Sequence, residues 1–212
     1  MGTPSNTIPM IRKFSTLCKC YSKISQINEY QLFFTSQKEW NSPSEPCPFC
    51  GAPCDAFHKD GTYERDFITY HHGCVHYHRV PISCVECSSC GHSHALLPSV
   101  IIPYSSYSIQ FVVSLLFHYY KKTYKSVADL CLHFEIAVTT FYRIYHCFMG
   151  DRLFLKGVKA ELAYFDSVAL ISYLSSLSFI EITPLQQLFF ASYGYSFLQR
   201  RCKLRPKRSA AP

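Results

Sequence analysis

The residues with the clearest chemistry form two copies of one turn, Cys47-Pro-Phe-Cys50-Gly51 and Cys87-Ser-Ser-Cys90-Gly91. In such a knuckle the two intervening residues bring both sulfurs to one point. The glycine that follows tolerates the backbone geometry that turns amides toward them. Cys47, Cys50, Cys87 and Cys90 are therefore the expected ligands of one tetrahedral, structural zinc ion. The 36 residues between the knuckles exceed the usual spacing of about 15 to 20. Loop closure grows by only about 0.6 kcal/mol per doubling of length, whereas structural zinc contributes on the order of 10 to 16 kcal/mol, so the spacing is no veto. Cys84-Val-Glu-Cys87 competes but lacks the trailing glycine, leaving Cys84 as an alternative to Cys90; Cys54, His92 and His94 are lesser alternatives. Four thiolates leave no open coordination position, which argues against zinc hydrolysis. A thioredoxin-like redox role would need a strand-helix context that this stretch lacks. His58, His71, His72, His76 and His78 are dispersed and are expected on a strand surface.

A second constellation runs over residues 126–145 and has the layout of a helix-turn-helix. Val127, Leu130 and Cys131 make the inner face of a first helix, residues 134–137 the turn with Ile136 as its buried plug, and Phe141 and Ile144 the inner face of a second. Val138, Thr139, Tyr142, Arg143 and His146 are left outward, near the part of such a helix that meets base edges in the major groove. Arg143 suits guanine, and Thr139 and Thr140 suit phosphate or a thymine methyl. Lys121, Lys122 and Lys125 precede the pair as candidate phosphate contacts. Glu135 stands where glycine is common and Ala137 lacks a capping hydroxyl, each costing about 1 kcal/mol of local preference. The plain alternative is an amphipathic helix pair that only packs.

The elements that must position these groups follow from periodicity. Residues 61–83 alternate polar with aromatic or β-branched residues around His71-His72-Gly73, a hairpin signature. Pro81 lacks a backbone donor, so the second strand is expected at an edge or ending there. After Ser108, apolar residues at Ile109, Val112, Val113, Leu116 and Tyr120 predict a helix. Gly150 is expected to end the helix that holds Arg143. Further helices are expected over about 157–178 and from Thr183-Pro184 to about residue 192. The expected fold class is α+β: a leading segment (1–46), a zinc ribbon with a β-hairpin (47–98), an all-α helix-turn-helix region (104–150), additional helices (151–199) and a basic tail (200–212).

The 212 residues are 48% hydrophobic and 17% charged, which excludes wholesale disorder. The net charge of +7 is concentrated: six of the 21 basic residues lie in the tail, leaving fifteen against fourteen acids elsewhere. Attention therefore falls on local patches. The longest apolar stretch, 168–180, is broken by four serines and falls short of the roughly 20 residues a bilayer span needs. No apolar run with a cleavage site marks the N-terminus, so an unexported, cytoplasmic chain is expected. Twelve cysteines in a reducing compartment are more often metal ligands or buried thiols than disulfides.

The paired knuckles, the His94-Ala-Leu-Leu-Pro98 stretch and the helix-turn-helix that follows resemble an uncharacterised, clostridial-type bacterial family. That family is similar to the DNA-recognition region of insertion-sequence transposases, and the resemblance covers roughly residues 45–150. It implies zinc on Cys47, Cys50, Cys87 and Cys90 and DNA readout by residues 138–146. Intact transposases of this kind carry three carboxylates that bind two metal ions. Here only Asp151, Glu161, Asp166 and Glu181 follow Gly150, too few residues to present them on a sheet. The expectation is a non-enzymatic, zinc-stabilised protein that binds double-stranded DNA, acting as a mobile-element recognition or regulatory protein. A separate transposase or recombinase subunit is a candidate partner; no membrane and no small-molecule substrate are expected. The alternatives are a protein-interaction module built from the ribbon and helices, or an inactive transposase remnant.

Overall fold

The computed structural model describes residues 10–12, 46–97 and 101–199. The basic tail and nearly all of the leading segment lie outside the described residues. The fold is α+β: strands β1 (Met10–Arg12), β2 (Phe57–His71), β3 (Cys74–Cys87) and β4 (Ser93–Leu97) precede helices α1 (Ile109–Tyr120), α2 (Val127–His133), α3 (Val138–Val158), α4 (Ser167–Ser176) and α5 (Phe179–Tyr193). The sheet order is β1-β4-β3-β2, with β1 parallel to β4 and the other pairings antiparallel.

The hairpin turns on two residues, His72 and Gly73, both in the left-handed region with φ of 50° and 79°. That is the signature of the tight turn whose twist matches flanking strands, and it sets the β2–β3 register from His71↔Cys74 to Thr62↔Ser83, beyond which a bulge between Lys59 and Thr62 shifts the pairing toward the root. Pro81 does not end β3. It pairs with Glu64 of β2, while β4 reaches only Cys84, Val85 and Glu86, so at Pro81 the strand has one neighbour and the missing donor is tolerated there.

The hairpin has two ends with different surroundings. At its root, Phe57, Val85 and Leu96 are buried with Cys47 and Cys87. At its tip, Ile68, Tyr70 and Val75 pack against a helical core that runs from Ile102 to Leu198. The tip is tied further by Ile68, whose N–H donates to Ser106 O (2.7 Å) and whose carbonyl accepts from Ser108 N (2.9 Å). The Arg65 guanidinium donates to the carbonyls of Ile102 and Ser105.

The helical half departs from the periodicity reading in three places. α3 runs through Gly150 to Val158, because Phe148, Asp151 and Leu155 continue its buried face beyond the glycine. The expected helix over 157–178 is shorter, α4, started by the Asp166 side chain accepting from Ala169 N. α5 begins at Phe179, before Thr183-Pro184: Ser178 and Glu181 form a capping box, and Pro184 lies inside the helix. That reciprocal cap satisfies two end donors at once and outweighs the pull of a first-turn proline. No helix among the described residues is long and apolar enough to cross a membrane.

Candidate metal centre and nucleic-acid interface

The two knuckles have the same backbone geometry. Gly51 N donates to Cys47 O (2.8 Å) and Gly91 N to Cys87 O (2.7 Å), while Cys47 N donates to Ala52 O (2.8 Å) and Cys87 N to His92 O (3.0 Å). Gly51 and Gly91 both have φ in the left-handed region, at 75° and 67°, where a side chain is strained. β3 delivers the second knuckle directly, since Cys87 is its last residue; the first is held beside it by Ser88, whose N–H and Oγ both reach Ala56 O.

The result is a cluster of Cys47, Cys50, Cys87 and Cys90, whose sulfurs all lie within 4.8 Å of one another. The Cys47–Cys90 and Cys50–Cys87 Sγ separations are 3.8 and 3.7 Å. A tetrahedron with metal–sulfur bonds of about 2.3 Å has edges of about 3.8 Å, which these two separations match, so the donor set is compatible with a metal ion. Burial raises the Cys87 thiol, but the Ser89 and Cys90 amides and the neighbouring thiols outweigh it and bring it down to about 7. Burial and the other three thiols push Cys90 up to about 12 against a bond from the His92 amide.

The alternatives fall outside the cluster. Cys84 is buried in the sheet opposite Ala95, and Cys54 opens a short 3-10 turn. His92 stacks on Phe49 with ring centroids 3.6 Å apart, joining the two knuckles on their outer side. His94, fully buried, places Nε2 3.4 Å from Cys47 Sγ and meets Phe57 edge-on. With a metal on Cys47 the sulfur could only accept, and the imidazole would then donate to it. Sequence reasoning listed His94 as a substitute ligand and missed this supporting role, although alternation along β4 puts it on the same face as Leu96, which packs in the root.

At the other end of the hairpin, α2 and α3 are joined by a four-residue turn, 134–137. Its plug is Phe134, fully buried, rather than the half-buried Ile136. Phe134 stacks on Tyr70 of β2 at 4.4 Å and meets Phe111 of α1 edge-on, so the hairpin tip claims the site that spacing alone assigned to Ile136. Glu135 adopts φ of 53° and its carboxylate accepts from the Tyr77 hydroxyl of β3 at 2.9 Å. The neighbouring His133 bonds the Tyr70 hydroxyl at 3.0 Å. Ala137 supplies no side-chain cap.

Of the expected contact residues, Val138, Thr139, Tyr142, Arg143 and His146 on α3 and Lys121, Lys122 and Lys125 are exposed; Thr140 is half-buried. Phe141 and Ile144 are buried on the opposite face. Arg143 lines a small cavity of about 80 Å³ with Tyr104 and Tyr107. Burial raises the Tyr107 hydroxyl, and the Arg143 charge partly offsets this. The metal cluster and the α3 face sit at opposite ends of the hairpin. The four acids beyond Gly150 serve local structure: Asp151 accepts from Leu198 N and Tyr195 Oη, Glu161 pairs with Lys159, Asp166 caps α4 and Glu181 caps α5.

Residues 47–130, under half of the chain, match a family described as Domain of unknown function (DUF6431). The match takes in both knuckles, the hairpin, α1 and the first part of α2, and stops short of α3. No curated protein and no solved structure gives a match.

Proposed function

We propose that the chain is a zinc-stabilised, non-enzymatic protein that binds duplex DNA, with α3 entering the major groove and Lys121, Lys122 and Lys125 on the flanking phosphates. The observation that carries this reading is the division of α3. Its first turns set Val138, Thr139, Tyr142, Arg143 and His146 toward solvent, while Phe141 and Ile144 anchor the opposite face in the core. Base readout needs such a rigidly seated, outward-facing helix start. The sulfur tetrahedron supports zinc: soft thiolate donors in that geometry select zinc or iron, and four of them make a closed, structural site. Unlinked thiols of this kind belong in a reducing compartment such as the cytoplasm. The likeness of the knuckles to transposase recognition regions makes a mobile-element recognition or regulatory role the favoured setting, with a transposase or recombinase as candidate partner.

The test is binding to random duplex DNA with selection of bound sequences, repeated at several salt concentrations. Enrichment of one motif, with affinity falling steeply with salt, supports the reading; salt-insensitive or absent binding removes it. One observation favours a second reading. Leu132 is 80% exposed, and Val138 and Tyr142 are also exposed large apolar groups on the same helix pair, as a protein-docking face would present. Loss of a protein partner, with DNA affinity unchanged, on Leu132→Ser would select that alternative.

A further inference from the structure

The connection between α1 and α2 is built against the usual preference of its backbone. α1 closes with paired bonds, Lys122 N to Tyr119 O (3.1 Å) and Thr123 N to His118 O (3.1 Å), the arrangement that places a left-handed residue just past a helix and takes glycine there most often. The residue is Lys122, with φ of 52°. Glycine would relieve the strain, and lysine in its place puts an ammonium group at this turn. That side chain lines a groove of about 200 Å³ together with Lys125, Tyr124, His118 and Ser126, floored by Leu130. Among the described residues neither Lys122 nor Lys125 takes part in an ion pair. Asp129, in the first turn of α2, accepts from the Ser126 hydroxyl at 2.8 Å. Burial raises the Tyr124 hydroxyl, which keeps it a neutral donor.

We infer that this groove is a phosphate-binding site, in which Lys122 and Lys125 hold one or two phosphodiester groups of a DNA strand while the Tyr124 hydroxyl supplies a hydrogen bond. The inference rests on the DNA-binding reading for the source of the phosphate and refines it. In helix-turn-helix docking the first helix crosses the backbone while the second enters the groove, and this site lies at the start of α2. Ammonium groups suit the role because they act as point charges on phosphate without reading sequence.

The experiment uses the full, zinc-loaded chain, its Lys122→Gln/Lys125→Gln double variant and Lys122→Gly, with zinc content and circular dichroism checking the fold. The probes are inorganic phosphate, followed by amide chemical shifts of residues 118–127, and a 20-base-pair duplex, followed by affinity against salt. The parent should show phosphate-dependent shifts that the double variant loses. The log–log salt slope should fall by about two in the double variant and about one in Lys122→Gly, equally for all duplexes. Lys122→Gly should also melt at a higher temperature than the parent. Unchanged shifts and an unchanged slope in the double variant overturn the site even if Arg143-dependent duplex binding persists. Phosphate shifts lost in the double variant, in a protein that binds no duplex, keep the site and overturn the DNA reading.

Discussion

On the proposed function, removing the metal should open one end of the hairpin and leave the other closed. At about 3.3 Å per residue the 15 residues of β2 span about 50 Å, with the sulfur cluster at the root and the helical core at the tip. The root's apolar support is Phe57, Val85 and Leu96. At about 1.5 to 3 kcal/mol each these side chains contribute roughly 5 to 9 kcal/mol, less than the 10 to 16 kcal/mol typical of structural zinc. The tip needs no metal, because Ile68, Tyr70 and Val75 pack on the helical core. Hydrogen exchange read by mass spectrometry, before and after a strong chelator, is the assay. The amides of Cys47, Gly51, Cys87 and Gly91, all bonded within the knuckles, should lose protection on chelation. Those of Ile68 and Ser108, bonded across the junction with the helices, should keep it. Protection lost equally at Ile68 and Gly51, or retained at Gly51 and Gly91 in metal-free protein, would refute the division of the hairpin into a metal-dependent root and a core-dependent tip.

His94→Leu removes the donor to Cys47 and should weaken zinc binding about 10- to 100-fold, with partial recovery in His94→Gln; competition with a colorimetric chelator measures both. Phe134→Ala should cost about 3 to 5 kcal/mol in urea unfolding and Ile136→Ala clearly less, the reverse order restoring Ile136 as the plug. Arg143→Ala should cost roughly 1 to 3 kcal/mol of binding to a selected duplex and relax preference at one base position, while Phe141→Ala costs folding stability instead; equal binding by a folded Arg143→Ala protein removes α3 from base readout. Ser178→Ala should destabilise by about 1 kcal/mol. The Ser178 side chain and amide hold the Glu181 carboxyl below its usual range, so the hydroxyl–carboxylate part of the cap is present above the unfolded value of about 4.3 and is lost as pH falls through the lower folded value. Urea midpoints of parent and variant should therefore draw closer between pH 7 and 3 without meeting, because Ser178 Oγ still accepts from Glu181 N.

The knuckle cysteines were legible because their chemistry is local: two residues between thiols and a glycine after them dictate the turn wherever it occurs. The hairpin and α1 were legible for the same reason, through His72-Gly73 and the cap at Ser108. The start of α5 differs from the periodicity reading because the local Ser178/Glu181 capping box outweighs Thr183-Pro184, and the other differences come from tertiary choices. Nothing in the turn sequence distinguishes Phe134 from Ile136 as the plug; the ring of Tyr70, distant in sequence, decides it. Gly150 reads as a stop, yet a helix whose buried face continues through Asp151 and Leu155 gains more from packing than one glycine costs, about 1 kcal/mol. His94 reads in sequence as a spare ligand, because spacing shows that an imidazole is near the knuckles and not which side of a sulfur it occupies. The parallel pairing of Met10–Arg12 with β4 had no sequence signal, since three residues are too few to show alternation.

The junction between hairpin and helices gives the hairpin a task beyond carrying the cysteine cluster. Glu135 sits in a conformation that costs an L-residue roughly 1 to 2 kcal/mol, and Ala137 does nothing to fix where α3 begins. The helix pair by itself therefore specifies its turn weakly. The missing constraint comes from β2 and β3: Tyr77 ties down Glu135, Tyr70 ties down His133, and the Tyr70 ring backs Phe134. These tyrosines lie seven apart and on opposite strands, so their joint placement depends on the hairpin register, and a slip of one residue would put them on opposite faces. The His72-Gly73 turn sets that register at the tip, and the bulge between Lys59 and Thr62 separates it from the pairing at the root. On the proposed function, the α3 face would owe its seating to this tip register and to the helical core that Ile68, Tyr70 and Val75 pack on, with the metal confined to the root.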